Sequence, residues 1–355
     1  MAFVPPFCPN PCCDKHKRPC ARFYVRFGSF RVACRPEPVA RFRCQTCRRT
    51  FSTQTFRQDY RDRRPELNGR VFEHLASGVG LRQCARRLRI GVSALQRKAC
   101  KIARQMQLLH DNLSHRMPSG SVFVLDEEET FETASIRRVG IAMVVEQRSW
   151  FIVTTTVGSL RRLSKPGTAR RRWQDRDEQR HGKRPDESSK CVRAALQALR
   201  DKVGDRPITL LSDRKASYAR IARQVFGDRV RHERTSGKDP RTPRNPLFPI
   251  NSMQAVSRDL VGALRRQSWL HAKKAVRLSG RLAIFVVYKN YERKRFNTDK
   301  EDKSPAVHLG LISRSLTTAE SLRWRQDFGL RSIHPLSCDG ARRVGEPESP
   351  AAIGA

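Results

Sequence analysis

Two aspartates stand where the sequence predicts that apolar strands end. Asp126 follows the apolar segment 121–125, and Asp213 follows the apolar segment 207–212. Carboxylate oxygens are ligands that Mg²⁺ and Mn²⁺ prefer. Two such ions about 4 Å apart can activate a water or a 3′-hydroxyl for attack and stabilise the leaving oxygen. One aspartate at a strand end is common at loop boundaries, so the prediction of a metal site depends on the two strands lying side by side.

The order of the other predicted elements brings these two strands together. Three strands are followed by a helix, the strand that ends at Asp213, a second helix, a further strand and a late helix that begins near Asn251. This is the order of an RNase H-like domain, in which the first and fourth strands bring two carboxylates together beneath a late helix. Trp269 on that helix and Trp324 beyond it are predicted to pack in the core. The earlier segments are 121–125, 139–145, 150–157, 189–199, 207–212, 216–226 and 229–234.

Four thiols near the N-terminus predict a structural zinc site. Cys8 and Cys13 belong to a proline-rich knuckle, and Cys44 and Cys47 form a CxxC pair at the end of a strand-like segment. The chain has 11 cysteines, an odd number, which favours metal binding in a reducing compartment over a disulfide framework. Two knuckles joined by a hairpin of about 30 residues supply the four tetrahedral thiolates that structural zinc prefers.

The first knuckle is less specific than the second. Cys12, Cys20 and His16 offer alternative ligands for the two positions that we assign to Cys8 and Cys13. A cluster of free thiols with one fortuitous CxxC pair is the alternative without a metal.

A second basic segment has the layout of a helix-turn-helix. Helical segments 81–88 and 93–105 are joined through Gly91, and the second begins at Ser93, a residue type that caps helices. In this motif the second helix lies in the major groove, so Ser93, Gln96 and Arg97 are predicted to reach base edges. Arg and Gln make bidentate contacts to guanine and adenine. The alternative is a three-helix bundle whose charges are only solvated.

The charge of the chain favours nucleic acid as its partner. Lysine and arginine number 72 against 34 acidic residues, which gives a formal net charge of +38 in 355 residues. A hydrophobic content of 38% is too high for a wholly disordered polycation. The longest apolar run, 282–288, is far shorter than the roughly 20 residues of a membrane span. The first residues lack the pattern of a signal peptide, so we expect neither membrane insertion nor secretion.

Taken together, these motifs resemble the transposases of bacterial insertion sequences that carry an N-terminal zinc ribbon, a helix-turn-helix and a DDE-type catalytic domain. The resemblance covers about residues 5 to 335, and the order of the motifs is more specific than any one of them. The segments that carry it are 8–13, 41–51, 78–88, 124–127, 211–213 and 247–251 with Arg258.

The resemblance implies a third metal ligand, and here the chain departs from the usual pattern. Asn251 occupies the place of the usual glutamate, and Arg258 follows seven residues later to contact DNA phosphate. Some members of this transposase group have asparagine there. An amide oxygen can bind magnesium but brings no charge, so the second ion is held more weakly unless Glu127, Glu128 or a DNA phosphate compensates. Strand alternation lets at most one of the two glutamates face the site. The alternatives are a helix N-cap for Asn251 and a solvated side chain for Arg258.

The predicted fold class is therefore α/β: an RNase H-like mixed sheet flanked by helices, preceded by a small zinc ribbon and a helix-turn-helix. The expected domains are the ribbon (1–56), the helix-turn-helix (57–117), the catalytic domain (118–300) and a C-terminal tail (301–355). The resemblance implies Mg²⁺- or Mn²⁺-dependent cleavage and transfer of double-stranded DNA by a homodimer or larger assembly, with Zn²⁺ in the ribbon. The expected location is the cytoplasm, with the nucleoid.

Two other functions remain open at this stage. The missing third carboxylate favours a catalytically inactive or domesticated DNA-binding regulator in which the sheet is a scaffold. A structure-selective nuclease of similar fold is the other alternative, and it would cut DNA without an end-specific requirement.

Overall fold

The structure is a computed structural model that describes residues 3–10, 12–33, 35–115, 117–237, 239–240, 242–265 and 270–324. Trp269 and most of the predicted C-terminal tail lie outside the described residues, whereas Trp324 is buried in the core as predicted. The strands are β1 (Tyr24–Val32), β2 (Arg35–Cys44), β3 (Thr50–Ser52), β4 (Val122–Phe131), β5 (Arg138–Glu146), β6 (Ile152–Ser159), β7 (Ile208–Asp213) and β8 (Val230–Thr235).

Helices separate and flank these strands. The α-helices are α1 (Asp14–Lys17), α2 (Asn68–Ala76), α3 (Leu81–Leu88), α4 (Val92–Leu113), α5 (Ala169–His181), α6 (Ser188–Val203), α7 (Ala216–Phe226), α8 (Phe248–Leu260), α9 (Ala275–Val287), α10 (Pro305–His308) and α11 (Thr318–Arg323). Short 3₁₀ turns span Thr53–Phe56, Pro65–Leu67, Gly227–Arg229 and Gly262–Leu264, and a π turn spans Tyr288–Glu292. In the part of the chain that the structure describes, no helix is both long enough and apolar enough to cross a membrane.

The N-terminal unit is a three-stranded antiparallel sheet in the order β1-β2-β3. Its small core consists of aromatic rings packed around buried thiols. Phe42 and Phe51 face each other across β2 and β3, with ring centroids 5.8 Å apart, and Phe7 meets Phe56 edge to face at 5.4 Å. So small a core contributes little hydrophobic stabilisation, which is why such units usually need a metal.

The predicted helix-turn-helix is formed by α3 and α4, with two differences in detail. Arg89 ends α3 in the left-handed conformation, with φ +51°, and Gly91 occupies the N-cap position of α4. The helix therefore begins at Val92, one residue before the expected start, and Ser93 is not its cap. It continues for 22 residues to Leu113 because its apolar face continues as well. The additional buried side chains include Met106, Leu109 and Leu113.

The larger sheet has five strands in the order β6-β5-β4-β7-β8. Strand β4 pairs antiparallel with β5 and parallel with β7, and β7 pairs parallel with β8. This is the mixed α/β arrangement that the sequence predicts. However, the sequence predicts that β4 ends near Asp126. In the structure β4 continues and pairs with β5 as far as Phe131. Asp126 therefore lies in the middle of a strand.

Helices cover both faces of this sheet. Phe123 and Leu125 of β4 belong to a buried cluster with side chains of α6 and α7, and the same cluster contains Ile102 and Met106 of α4. Val124, on the opposite face, packs with side chains of α8 and α9. The long helix of the helix-turn-helix therefore shares a hydrophobic core with the five-stranded sheet.

His110 adds a polar connection between α4 and the sheet. Its Nε2 lies 2.9 Å from the carbonyl oxygen of Val153 in β6, and its Nδ1 lies 3.0 Å from the hydroxyl of Tyr291. A carbonyl can only accept, so Nε2 carries the proton and Nδ1 accepts from the tyrosine. Complete burial lowers the pKa of His110 to about 4. The ring is therefore neutral near pH 7.

Substitution of His110 by Phe tests this connection. The variant leaves a buried carbonyl and a buried hydroxyl without their partner, so we expect a loss of about 2–3 kcal/mol in the free energy of unfolding at pH 7. The folded-state pKa lies below the unfolded value, so His110 stabilises the wild type fully above pH 6.5. That stability is lost as pH falls towards about 4, by up to about 1.4 kcal/mol per pH unit. Denaturant titrations should therefore show the difference between wild type and variant narrowing on acidification. A difference in the free energy of unfolding that does not change with pH would contradict this role. An equal loss of stability in the exposed-site control His181→Phe would also contradict it.

Candidate functional site

The four cysteines predicted to bind zinc lie together in the ribbon. The Sγ atoms of Cys8 and Cys47 are 3.6 Å apart, and those of Cys13 and Cys44 are 3.8 Å apart. All four Sγ atoms lie within 4.8 Å of one another. Four sulfurs about 2.3 Å from one tetrahedral zinc ion are separated by about 3.8 Å. The cluster can therefore hold one zinc ion.

The backbone of the knuckles favours thiolates at these positions. Cys8, Cys13 and Cys47 each accept a hydrogen bond from the backbone N–H two residues further along. Burial raises the pKa of Cys8 and Cys13 and outweighs these bonds. Burial also raises the pKa of Cys47, but its hydrogen bonds outweigh burial and lower the pKa to about 7. A metal ion would supply the positive charge that the buried thiolates lack.

The alternative zinc ligands do not join the cluster. His16 uses its Nδ1 to bond the carbonyl oxygen of Cys8, at 2.7 Å, and its ring packs on Phe7. Cys12 and Cys20 are exposed. The first knuckle therefore contributes Cys8 and Cys13, as predicted.

The two predicted catalytic aspartates are neighbours in the five-stranded sheet. Leu125 of β4 pairs with Ser212 of β7 in parallel register, so the next residues, Asp126 and Asp213, lie side by side on the same face. Adjacent strands are about 4.8 Å apart. This face is the one covered by α8, because Gln254 of α8 bonds Asp126.

Asp126 is half-buried, and each of its oxygens accepts a hydrogen bond. Its Oδ1 accepts from the backbone N–H of Glu127 at 2.8 Å, and its Oδ2 accepts from Nε2 of Gln254 at 3.1 Å. Burial is the main cause that raises the pKa of Asp126 to about 6, and the negative charge of Asp213 adds to it. Asp213 accepts at Oδ1 from the backbone N–H of Lys215, at 2.9 Å. Its other oxygen makes no hydrogen bond with any described residue.

Helix α8 presents Asn251 and Arg258 on one side. Seven residues at about 100° each bring the two within about 20° of one direction around the helix. Asn251 is the fourth residue of α8 and Leu247 is the N-cap, so the N-cap alternative for Asn251 is wrong. The amide of Asn251 makes no hydrogen bond among the described residues. Gln254, one turn further on, contacts Asp126, and the sequence did not predict this contact.

Arg258 is engaged by the protein itself. Its Nε lies 2.5 Å from Oε1 of Glu128, whose other oxygen accepts from the hydroxyl of Ser257 at 3.1 Å. The side chain of Glu128 is only 1% exposed, whereas that of Arg258 is 34% exposed. Glu128 therefore anchors α8 to β4. The predicted phosphate contact of Arg258 stays a prediction for the exposed part of its guanidinium.

Glu127 lies on the opposite face of the sheet. Its Oε2 accepts from the hydroxyls of Ser188 and Tyr218, at 3.1 and 2.9 Å, and pairs with the ammonium group of Lys215. Neither Glu127 nor Glu128 is therefore a spare ligand beside Asp126, so this arrangement does not provide the partial compensation that the sequence left open to at most one of them. Strand alternation and the partners of each glutamate are the reason.

The residues predicted to read DNA bases have different environments. Ser93 and Arg97 are exposed near the start of α4. Gln96 is half-buried, and its Nε2 lies 3.1 Å from Sγ of Cys100. Its amide therefore lies against the next turn of α4. A shallow pocket of about 400 Å³ lies beside the turn between α3 and α4, and its basic lining residues are Arg82, Arg86 and Arg89.

Comparison with models of known protein families gives no match, and comparison with curated proteins gives no similar sequence. Among the described residues, the thiol cluster is the one group in which three or more His, Cys, Asp or Glu ligand atoms lie within 4.8 Å of one another. The aspartate pair would need Asn251 or a bound phosphate to complete a metal site.

The zinc site predicts the metal content of cysteine variants. We expect about one zinc ion per chain in the wild type and none in Cys44→Ser, because three thiolates do not close a tetrahedral structural site. The matched control is Cys20→Ser, which removes an exposed thiol of the same unit and should retain zinc. Atomic absorption on the purified proteins measures this directly. Full zinc occupancy in Cys44→Ser would exclude the assigned ligand set.

The raised pKa of Asp126 predicts a pH-dependent gain in stability for Asp126→Asn. The folded-state pKa of about 6 exceeds the ordinary value of 3.8. Asp126 therefore lowers the free energy of unfolding as pH rises from about 4 through about 6. Without added divalent metal, the variant should gain on the order of 2 kcal/mol over the wild type between pH 4.5 and pH 7.5. Denaturant titrations at the two pH values measure this gain, with the exposed Asp228→Asn as control. A constant difference between variant and wild type would show that Asp126 has an ordinary pKa.

Proposed function

We propose that the protein is a DNA transposase that cleaves and joins DNA strands with the help of Mg²⁺ or Mn²⁺. The observation that carries this proposal is the position of Asp126 and Asp213, side by side on adjacent parallel strands beneath α8. A scaffold has no need of two acids at neighbouring positions on one half-buried face, since their repulsion destabilises the fold.

The donor set fits a divalent cation. One oxygen of Asp213 and the amide of Asn251 have no hydrogen-bond partner among the described residues. Asp126 would exchange its hydrogen bond from Gln254 for a bond to the metal. A bound cation would stabilise the ionised form of Asp126 and the charge on a scissile phosphate. The ligands in this proposal are Asp126, Asp213 and Asn251.

The surrounding residues hold the donors and attract the substrate. Glu128 anchors the C-terminal part of α8 to β4 through Ser257 and Arg258, on the helix that carries Asn251 and Gln254. The exposed part of Arg258 is available to a phosphate near the aspartates. The reaction requires no covalent bond between protein and DNA, because water and a 3′-hydroxyl serve as nucleophiles.

The proposed substrate is double-stranded DNA, bound by the front half of the chain. The hairpin of β1 and β2 exposes Phe27, with the guanidinium carbons of Arg41 and Arg43 at 5.1 and 4.7 Å from its ring centre. Ser93 and Arg97 add exposed polar groups on α4. Recognition of two element ends implies a homodimer or larger assembly acting on the bacterial nucleoid.

One observation favours a second function, that of a catalytically inactive DNA-binding regulator. Gln254 already satisfies Oδ2 of Asp126, and the third ligand is an amide without charge. A regulator would bind DNA with the same front half and would leave the aspartate pair without metal.

Substitution of Asp213 by Asn tests the proposal. Changes in the outer shell of metal sites already cost about 10–100-fold, so loss of a direct ligand should reduce strand cleavage and joining more than about 100-fold. The assay uses a duplex that carries the end of the element, with full-length protein and Mg²⁺ or Mn²⁺. The control Asp228→Asn removes an exposed carboxylate and should retain activity.

Undiminished activity in Asp213→Asn would overturn the assignment of the aspartate pair. Specific DNA binding by the wild type, with no strand cleavage and no heat of Mg²⁺ or Mn²⁺ binding in calorimetry, would favour the regulator.

A further inference from the structure

A groove of about 270 Å³ runs between α4 and α9, outside the aspartate pair and the thiol cluster. The two helices approach closely at its floor, where a Cβ added to Gly280 would lie 3.2 Å from that of Ala103. Exposed Arg104 and Arg277 stand at its rim. None of the described residues that line this groove is Asp or Glu. The groove is therefore a positively charged cleft with a narrow apolar floor.

Arg281 lines the same groove and has no partner among the described residues. Its Nη1 is buried, and its guanidinium makes no hydrogen bond or ion pair with any described residue. A guanidinium carries five N–H donors and no acceptor, so burial without a partner is costly. Burial also lowers the pKa of Arg281 to about 10. The guanidinium therefore still carries its positive charge at neutral pH. An anion seated in the groove would satisfy these donors.

The position and shape of the groove favour a DNA phosphate over other anions. It extends along α4, and Gln96 near the exposed start of that helix lines one end. Three arginines from two helices offer planar, bidentate donors, which suit phosphate groups that repeat along a backbone. The groove is not enclosed, so it can admit a phosphate that belongs to a longer chain.

We propose that the groove between α4 and α9 binds a phosphate of the duplex DNA backbone, with Arg281 as the principal donor and Arg104 and Arg277 at the rim. This inference rests on the proposed function for the identity of the ligand. It does not require the aspartate pair to be catalytic. DNA held here would be positioned by both the helix-turn-helix and the helix that supports the sheet.

The salt dependence of DNA binding by Arg281→Met tests the inference. Each phosphate neutralised contributes about 0.9 to the slope of log Kobs against log salt concentration. The slope for a fluorescent duplex of arbitrary sequence, measured by anisotropy, should therefore become shallower by about 1 in the variant. The matched control is Arg220→Met on α7, an exposed arginine remote from the groove, which should leave the slope unchanged. Equal slopes in both variants and the wild type would overturn the inference.

Two further measurements separate this role from packing and from the proposed catalysis. Arg281→Met should keep or raise the thermal midpoint, because it removes a half-buried charge that has no partner among the described residues. Arg281→Lys should retain the wild-type slope. A marked fall in the thermal midpoint of Arg281→Met, with the slope also reduced in Arg281→Lys, would indicate a structural arginine.

A rise in the thermal midpoint of the wild type with inorganic phosphate alone, without any change of slope in Arg281→Met, would assign the groove to a free anion and overturn the DNA contact. The slope is measured without Mg²⁺ or Mn²⁺ and does not depend on strand cleavage, so the two proposals can fail separately.

Discussion

The parallel register between β4 and β7 is the constraint on which the candidate site depends. It places Asp126 and Asp213 at adjacent positions although 86 residues separate them in the chain. A shift of one residue in either strand would turn one carboxylate to the other face of the sheet. The alternation of apolar side chains around the pair fixes this register, because Val124 and Leu125 of β4 belong to different buried clusters on the two faces.

The acidic run that follows Val124 and Leu125 is explained by the same alternation. Asp126 and Glu128 face α8, whereas Glu127 faces α6 and α7. Glu128 is paired with Arg258 and Glu127 with Lys215, whose backbone N–H also bonds Asp213. A buried carboxylate that lost its cation would be strongly destabilising. Glu127 and Glu128 therefore tie the loop after β7 and α8 to β4. Asp126, in contrast, forms no ion pair with a described residue.

Much of this architecture could be predicted from the sequence, and what could not be predicted has identifiable causes. Strand and helix order follow from hydrophobic periodicity, and the thiol cluster follows from cysteine spacing. Helix α5 was not predicted within the basic segment because it has no apolar face: Gln174 is its buried residue, and ion pairs such as Arg137–Asp177, at 2.6 Å, hold it in place. The true length of β4 was missed because buried, paired glutamates resemble a solvated loop in sequence. The contact between Gln254 and Asp126 depends on the angle at which α8 crosses the sheet, which no local pattern encodes.

The shared core of α4 and the sheet bears on how the proposed DNA recognition would be related to the aspartate pair. A helix-turn-helix on a flexible linker would leave the distance between bound DNA and the carboxylates undefined. Here α4 is fixed by apolar packing, by the neutral His110 between β6 and Tyr291, and by close contact with α9 at Gly280. Any DNA that contacts α4 is therefore held at a set distance from the sheet. Helix α9 also packs on the face of the sheet that carries Asp126. A phosphate bound between α4 and α9 would therefore lie at a fixed distance from the aspartates.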